Sequence, residues 1–306
     1  MRIWLMLMLC LLMPCQALAE ADFLDFPWSQ ETAPAAPMQA GYAQDGTGYH
    51  DGSLDIEISE MEVHGTPVML VRVKLASPVQ FRTALAAPFP SRTTKYVANM
   101  ARKVRAVLAV NADNFSFHSS GIVMRNAQLL RFQPDRNRDT LVVDGEGNFR
   151  ILSPTSEAAW EEVKENAVHA FCFGPALVVD GEERDTWNLK IKDLAREKKL
   201  RRIAIGQTGP LEYLILASRG PEDEQGWGLT LKQLADLCYE QGCLQAYNLD
   251  GGVSTSVVLG GEKINTPGRG PGRAVGDMIW FATIDRKALA DELDLELDEL
   301  LDIPDF

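Results

Sequence analysis

The chain has 306 residues, with 43 Asp and Glu against 30 Lys and Arg, a formal charge of −13. An acidic surplus of that size repels nucleic-acid backbones and anionic lipid surfaces, so neither is expected as a partner, although a local basic pocket for one phosphate is still allowed. Apolar residues make up 46%, enough to bury the core of one large domain or two small ones.

Arg2, an apolar stretch over residues 3–13 and Ala17-Leu18-Ala19 before Glu20 read as a cleavable signal peptide, residues 1–19. The alternative is an uncleaved anchor, but the apolar stretch is short for a span. Cys15 suggests lipidation, which Pro14 in front of it fits poorly. The expectation is a secreted or periplasmic protein with no stable membrane span after cleavage. Without Arg2 the balance is 29 basic against 43 acidic residues, a charge of −14. Residues 20–48, rich in Ala, Pro, Gln and Gly, are expected to be a flexible leader.

Leu54, Ile56 and Ile58 alternate with Asp55 and Glu57, the pattern of a half-buried strand, and a second strand over 68–73 follows the turn Gly65-Thr66-Pro67. A helix is expected from Thr93 or Thr94 to about Lys103, with Val97, Met100 and Ala101 inward. Strands are expected over 104–110, ending at Asn111, and over 121–124 and 141–143, then a helix over 158–166. A strand over 177–179 stops at Asp180-Gly181, and the charged stretch 184–199 belongs on the surface. Two further strands, 203–205 and 214–217, precede the best-marked helix. Thr230 and Gln233 have capping-box spacing, Leu231, Leu234, Ala235 and Cys238 share a face, and Gly242 stands where a left-handed cap is expected. Strands over 244–247, 257–259 and 278–284 complete the pattern. The order is not a regular β-α alternation. It predicts an α+β fold, a single catalytic-type domain over 49–285 with a mixed, mostly antiparallel sheet flanked by helices. The tail, 286–306, has eight acidic and no basic residues from Asp291 onward, and is either a solvated terminus or a docking helix.

Once Cys10 and Cys15 leave with the signal peptide, Cys172, Cys238 and Cys243 remain. In an oxidising compartment Cys238 and Cys243 can form a disulfide; two buried thiols is the alternative. Cys172, between Phe171 and Phe173, reads as a small buried hydrophobe. His50, His64, His118 and His169 have no metal-ligand spacing, and no cofactor is expected, though paired carboxylates with asparagines can hold Ca²⁺.

The most informative stretch is Asn248-Leu249-Asp250-Gly251-Gly252-Val253-Ser254-Thr255-Ser256. Between two apolar runs, two glycines permit close backbone approach to a ligand, and successive N–H groups can form an anion nest. Asp-Gly-Gly is equally an ordinary hairpin turn. Three distant segments accompany it: Val110-Asn111-Ala112-Asp113-Asn114-Phe115 with Gly121 to Asn126 and Gln128; Phe173-Gly174-Pro175-Ala176-Leu177-Val178; and Arg202-Ile203-Ala204-Ile205-Gly206-Gln207. Asn265-Thr266-Pro267 and Arg273 follow.

Together these resemble the phosphodiester glycosidase family over about residues 50–285. The resemblance implies hydrolysis of a sugar 1-phosphodiester at the C1–O bond, with a sugar phosphodiester or phosphate-bearing glycan as partner. It implies Asp250 as nucleophile or base and Asp113 as its acid/base partner or a sugar-hydroxyl ligand, roles that can be exchanged. Arg202 and Arg273 would grip phosphate, with Asn111, Asn248 and Asn265 orienting oxygens and Gly206, Gly251, Gly252, Ser254 and Thr255 lining the site. One departure stands out: many relatives carry Asp-Gly-Arg where this chain has Ser218-Arg219-Gly220. That favours an alternative on the same scaffold, a carbohydrate-binding or envelope exopolysaccharide-assembly protein without turnover.

Overall fold

The computed structural model describes residues 35–184, 197–223, 227–265 and 272–284. The signal peptide, the first part of the leader, most of the charged stretch 184–199, Thr266-Pro267 and the acidic tail lie outside the described residues.

The strands form three sheets, and every pairing among the described strands is antiparallel. The largest has eight strands in the order β1 (Gly48–His50), β2 (Leu54–Val63), β3 (Thr66–Leu75), β14 (Glu212–Ser218), β13 (Ile203–Gly209), β15 (Gln245–Asn248), β11 (Ala176–Val179) and β12 (Glu182–Glu183). A second runs β7 (Gln128–Gln133), β6 (Gly121–Arg125), β10 (Ala167–Phe171), β8 (Thr140–Asp144) and β9 (Phe149–Leu152). The third runs β17 (Glu262–Lys263), β16 (Val257–Leu259), β5 (Leu108–Asn111), β18 (Asp277–Phe281) and β4 (Phe81–Leu85).

Strand alternation explains how these sheets are layered. Along β3, Val71 and Val73 face a central core shared with Phe81, Leu108, Val110, Leu141, Phe149 and Phe281 from the other two sheets. Val68 and Leu70 face the opposite way, onto helix α3 (Leu231–Glu240). Both faces of this strand are therefore buried, which suits its near-continuous apolar run. Helix α1 (Val97–Val104) covers the outer face of the third sheet with Val97, Met100 and Ala101 against Ala109, Met278 and Trp280. Phe81 sits at the junction, with ring centroids 5.3 to 5.9 Å from Tyr213, Phe281 and Phe149.

The capping box at α3 forms as expected: Gln233 N donates to Thr230 Oγ1 at 3.1 Å and Thr230 N to Gln233 Oε1 at 3.0 Å. Gly242 has φ 81°, the left-handed conformation that closes the helix. Helix α1 instead starts at Val97, with Tyr96 as its N-cap and no side-chain cap bond. Lys95 explains the difference, because it exchanges backbone hydrogen bonds at 2.9 Å with Val275 and holds its segment extended. The helix expected over 158–166 is split into α2 (Glu157–Glu161), capped by Ser156, and a 3-10 turn over Lys164–Asn166. Ordered backbone also reaches back into the expected leader. Ala35 N donates to Thr283 O at 3.1 Å, and Tyr42 packs edge-on against Tyr49 at 4.8 Å.

Cys238 and Cys243 are buried free thiols in this structure, joined by a hydrogen bond from Cys243 N to Cys238 O at 3.1 Å; no disulfide links them. No described helix is long and apolar enough to cross a membrane.

Candidate active site

The loop over residues 249–256 leaves β15 and enters β16, so it bridges the first and third sheets at their ends. Two asparagine side chains from different places hold it in shape, and a third ties the strand end before it to Gly174. Asn111, the last residue of β5, donates from Nδ2 to Asp250 O at 2.8 Å and accepts at Oδ1 from Ser256 N at 2.9 Å. Asn265 does the same further on, accepting from Val257 N at 2.9 Å and donating to Thr255 O at 3.1 Å. Asn248 donates to Gly174 O at 2.8 Å, while its buried Oδ1 has no partner among the described residues. The amides expected to orient ligand oxygens thus serve mainly to fix backbone.

The glycines in the loop answer a crowding problem. A Cβ on Gly251 would stand 2.7 Å from Arg201 O, and Gly252, at φ 60°, donates its N–H to that carbonyl at 2.8 Å. The loop therefore lies directly on the start of β13. Asp250 N also reaches Ala112 O at 3.4 Å, and Arg273 N donates to Val253 O at 3.0 Å. The four sequence segments meet here. Asp250 is half-buried, and burial raises its pKa, with the Asp113 charge adding to the effect; the Ser254 hydroxyl and Arg273 pull it back down. Ser254 and Thr255 are fully buried, and Thr255 Oγ1 has no partner among the described residues. Arg273 itself is exposed.

Asp113 is placed close to this loop but in another state. Its Oδ1 accepts from Arg125 Nη2 at 2.7 Å and from Phe115 N at 3.3 Å, and its Oδ2 accepts from Cys172 N at 2.8 Å. Both oxygens are occupied and the side chain is sealed from solvent. An acid/base partner needs an oxygen facing the substrate, so the sequence expectation for Asp113 is corrected to an electrostatic and structural role. Arg125 lies between Asp113 and Asp277: its Nε donates to Asp277 Oδ2 at 2.8 Å, and its guanidinium stacks on Phe171 at 4.3 Å. Two carboxylates share one guanidinium in a dry interior, and burial holds Asp277 well above the usual carboxylate range. Arg125 and Asp277 were not singled out from the sequence. Their signal was a charged residue at one end of an apolar run, Arg125 after Ile122 to Met124 and Asp277 before Met278 to Phe281.

Arg202, expected to grip phosphate, is buried and donates from Nε to Leu229 O at 3.1 Å and from Nη2 to Lys198 O at 3.0 Å. Gly206 packs against Cys243, whose Sγ would stand 2.5 Å from a Cβ there, which makes it a packing glycine. The Ser218-Arg219-Gly220 turn is locked from both sides. Ser218 Oγ accepts from Arg202 N at 2.9 Å, and Gly220 N donates to Asp223 Oδ2 at 3.1 Å. Asp223 is paired in turn with Arg201, whose Nε donates to it at 2.8 Å. His118 sits beside the Asp113 segment, half-buried, accepting at Nδ1 from Arg138 Nη2 at 3.2 Å. Burial and the Arg138 charge lower its pKa, so the neutral ring carries its proton on Nε2. Among the described residues no group of three or more His, Cys, Asp or Glu side chains converges to hold a metal ion.

Comparisons with known proteins identify the family and the fold. The phosphodiester glycosidase family model matches residues 104–282. The uncharacterized SPbeta prophage-derived protein YomE of Bacillus subtilis is 26% identical over 196 residues, 62% of this chain and 30% of that protein. The chain thus spans under a third of the length of that curated relative. Among solved structures, the zebrafish N-acetylglucosamine-1-phosphodiester alpha-N-acetylglucosaminidase catalytic domain, auto-inhibited by its pro-peptide, superposes with a TM-score of 0.60 at 16% identity, covering 81% of this chain and 86% of that one. A hypothetical protein from Synechocystis gives 0.57 at 16% identity, covering 74% and 62%, and a putative exported protein from Burkholderia pseudomallei 0.51 at 13%, covering 71% and 74%. At such identities the likeness establishes the shared fold. With the family model matching more than half of the residues, this chain belongs to the phosphodiester glycosidase family.

Proposed function

We propose that the protein is an exported hydrolase that cleaves the C1–O bond of a sugar 1-phosphodiester, with Asp250 as the working carboxylate. The observation that carries this reading is the contrast within the site. Asp250 alone of the two motif carboxylates is left half-open, and Arg273 stands close enough to lower its pKa. In such a substrate the leaving phosphate is already a weak base, so protonating it matters little. The two demands are to hold the phosphate and to stabilise positive charge growing at C1. Guanidinium groups and backbone N–H groups meet the first and a carboxylate meets the second, either as nucleophile or by activating water. The buried Asp113 carboxylate nearby raises the Asp250 pKa.

The test is hydrolysis of a GlcNAc 1-phosphodiester, followed by release of free sugar, beside a matched glycoside that lacks phosphate. Release from the diester alone is expected. Release from the plain glycoside at equal rate would overturn the phosphodiester assignment. The Ser218-Arg219-Gly220 turn favours one second reading, a binding protein without turnover. Its mark would be calorimetric binding of a sugar 1-phosphate with no sugar released.

A further inference from the structure

Lys263 belongs to none of the family-like segments and has no role in the mechanism above. It follows the Gly260-Gly261 turn, where φ values of 57° and 83° reverse the chain and place it on β17 beside the active loop. Its Nζ lies 2.9 Å from where a Cβ on Gly272 would stand, and that same point is 3.4 Å from Ser256 Oγ and from Val253 O. The ammonium is therefore tucked against the backbone of Gly272, next to Arg273, on the flank of the Gly252–Ser254 turn.

Arg201 is committed to Asp223, and the Arg201 charge still reaches Lys263. Arg273 acts on Asp250. Among the described residues three cations, Arg201, Lys263 and Arg273, flank the turn beside the carboxylates of Asp223 and Asp250. No described side chain forms an ion pair with Lys263, although it is half-buried. Burial first, and the Arg201 charge second, push its amine down to about 8. A half-buried ammonium that no carboxylate neutralises is costly for the fold to keep, and an incoming anion removes that cost.

We propose that Lys263, flanked by Arg273, binds the phosphate group of the sugar 1-phosphodiester, and that Arg202 holds the Lys198 and Leu229 segments together instead. This inference rests on the phosphodiester reading above.

Calorimetry with GlcNAc 1-phosphate, inorganic phosphate and free GlcNAc tests it on the wild type, Lys263→Met and Lys263→Arg, each checked for folding by thermal melting. Lys263→Met is expected to weaken both phosphate ligands by about tenfold to a hundredfold, the usual worth of one charge-assisted contact. Free GlcNAc should be unaffected, and Lys263→Arg should restore most of the loss. On the diester the same change should appear mainly in KM. Unchanged phosphate affinity in Lys263→Met would overturn the inference and leave the phosphodiester reading standing. Wild-type protein that binds both phosphate ligands through Lys263 yet releases no sugar would refute the catalytic reading and keep this site. Failure of the wild type to bind either phosphate ligand would overturn both.

Discussion

Asp113 and Asp250 each lie two residues beyond the end of a strand in a family-like motif, yet the molecule treats them in opposite ways. Around Asp113 the interior is sealed: its carboxylate accepts from Arg125, Phe115 N and Cys172 N, and the Arg125 guanidinium also holds Asp277 and the Met124 and Ala170 carbonyls. Around Asp250 the loop is half-open, bordered by Arg273 and Lys263, and built on glycines that let it rest on Arg201 O. One region uses its charges to hold the second and third sheets together, and the other keeps them available. A carboxylate in a motif is thus only a candidate, and its neighbours decide which use it serves.

The sharpest way to break this comparison is Asp250→Asn. It should lower kcat on the diester by about a thousandfold or more, ~4 kcal/mol of transition-state stabilisation, while the melting temperature stays near that of the wild type. Retained activity in that variant would remove Asp250 from the chemistry. Arg125→Met should do the reverse, costing about 3 to 5 kcal/mol of stability in chemical denaturation because two buried carboxylates lose their shared cation. A stability loss below 1 kcal/mol would show that the cluster does not hold the fold. The smallest effect concerns pH. Asp250 has a raised pKa, so activity that needs its ionised form is present at higher pH and is lost as pH falls through that pKa. Arg273 lowers that pKa, so Arg273→Met should move the acid limb of the kcat/KM profile upward. A downward shift would contradict the placement of Arg273 beside Asp250.

How much of this was legible in the sequence depended on how local the cause was. The capping box of Thr230 and Gln233, the left-handed Gly242 and the alternating strand at Leu54 to Ile58 are written in spacing alone, and they appear where expected. The start of α1 was misplaced because Val275, some 180 residues away, holds Lys95 extended. In the site, the meeting of the four segments was legible from the motif residues, whereas their division of labour was not. Nothing in Arg-x-Ala-Ile-Gly reveals that the Arg202 fork faces Leu229 O and Lys198 O, or that Gly206 makes room for Cys243. Arg125 was missed for a similar reason, since an arginine ending an apolar strand looks like a surface residue until Asp277 and Asp113 are seen on either side of it. Lys263 belongs to no motif, and only the reversal at Gly260-Gly261 brings it to the loop.

The amide staples carry a consequence for how the protein folds. Asn111 grips Asp250 and Ser256 across separations of 139 and 145 residues, so the loop acquires its shape only after chain ends far apart have been joined. Closures of that span are slow and come after local turns and hairpins. Newly made chains will therefore pass through a stage in which strands and α3 are formed but the loop over residues 249–256 is still unset.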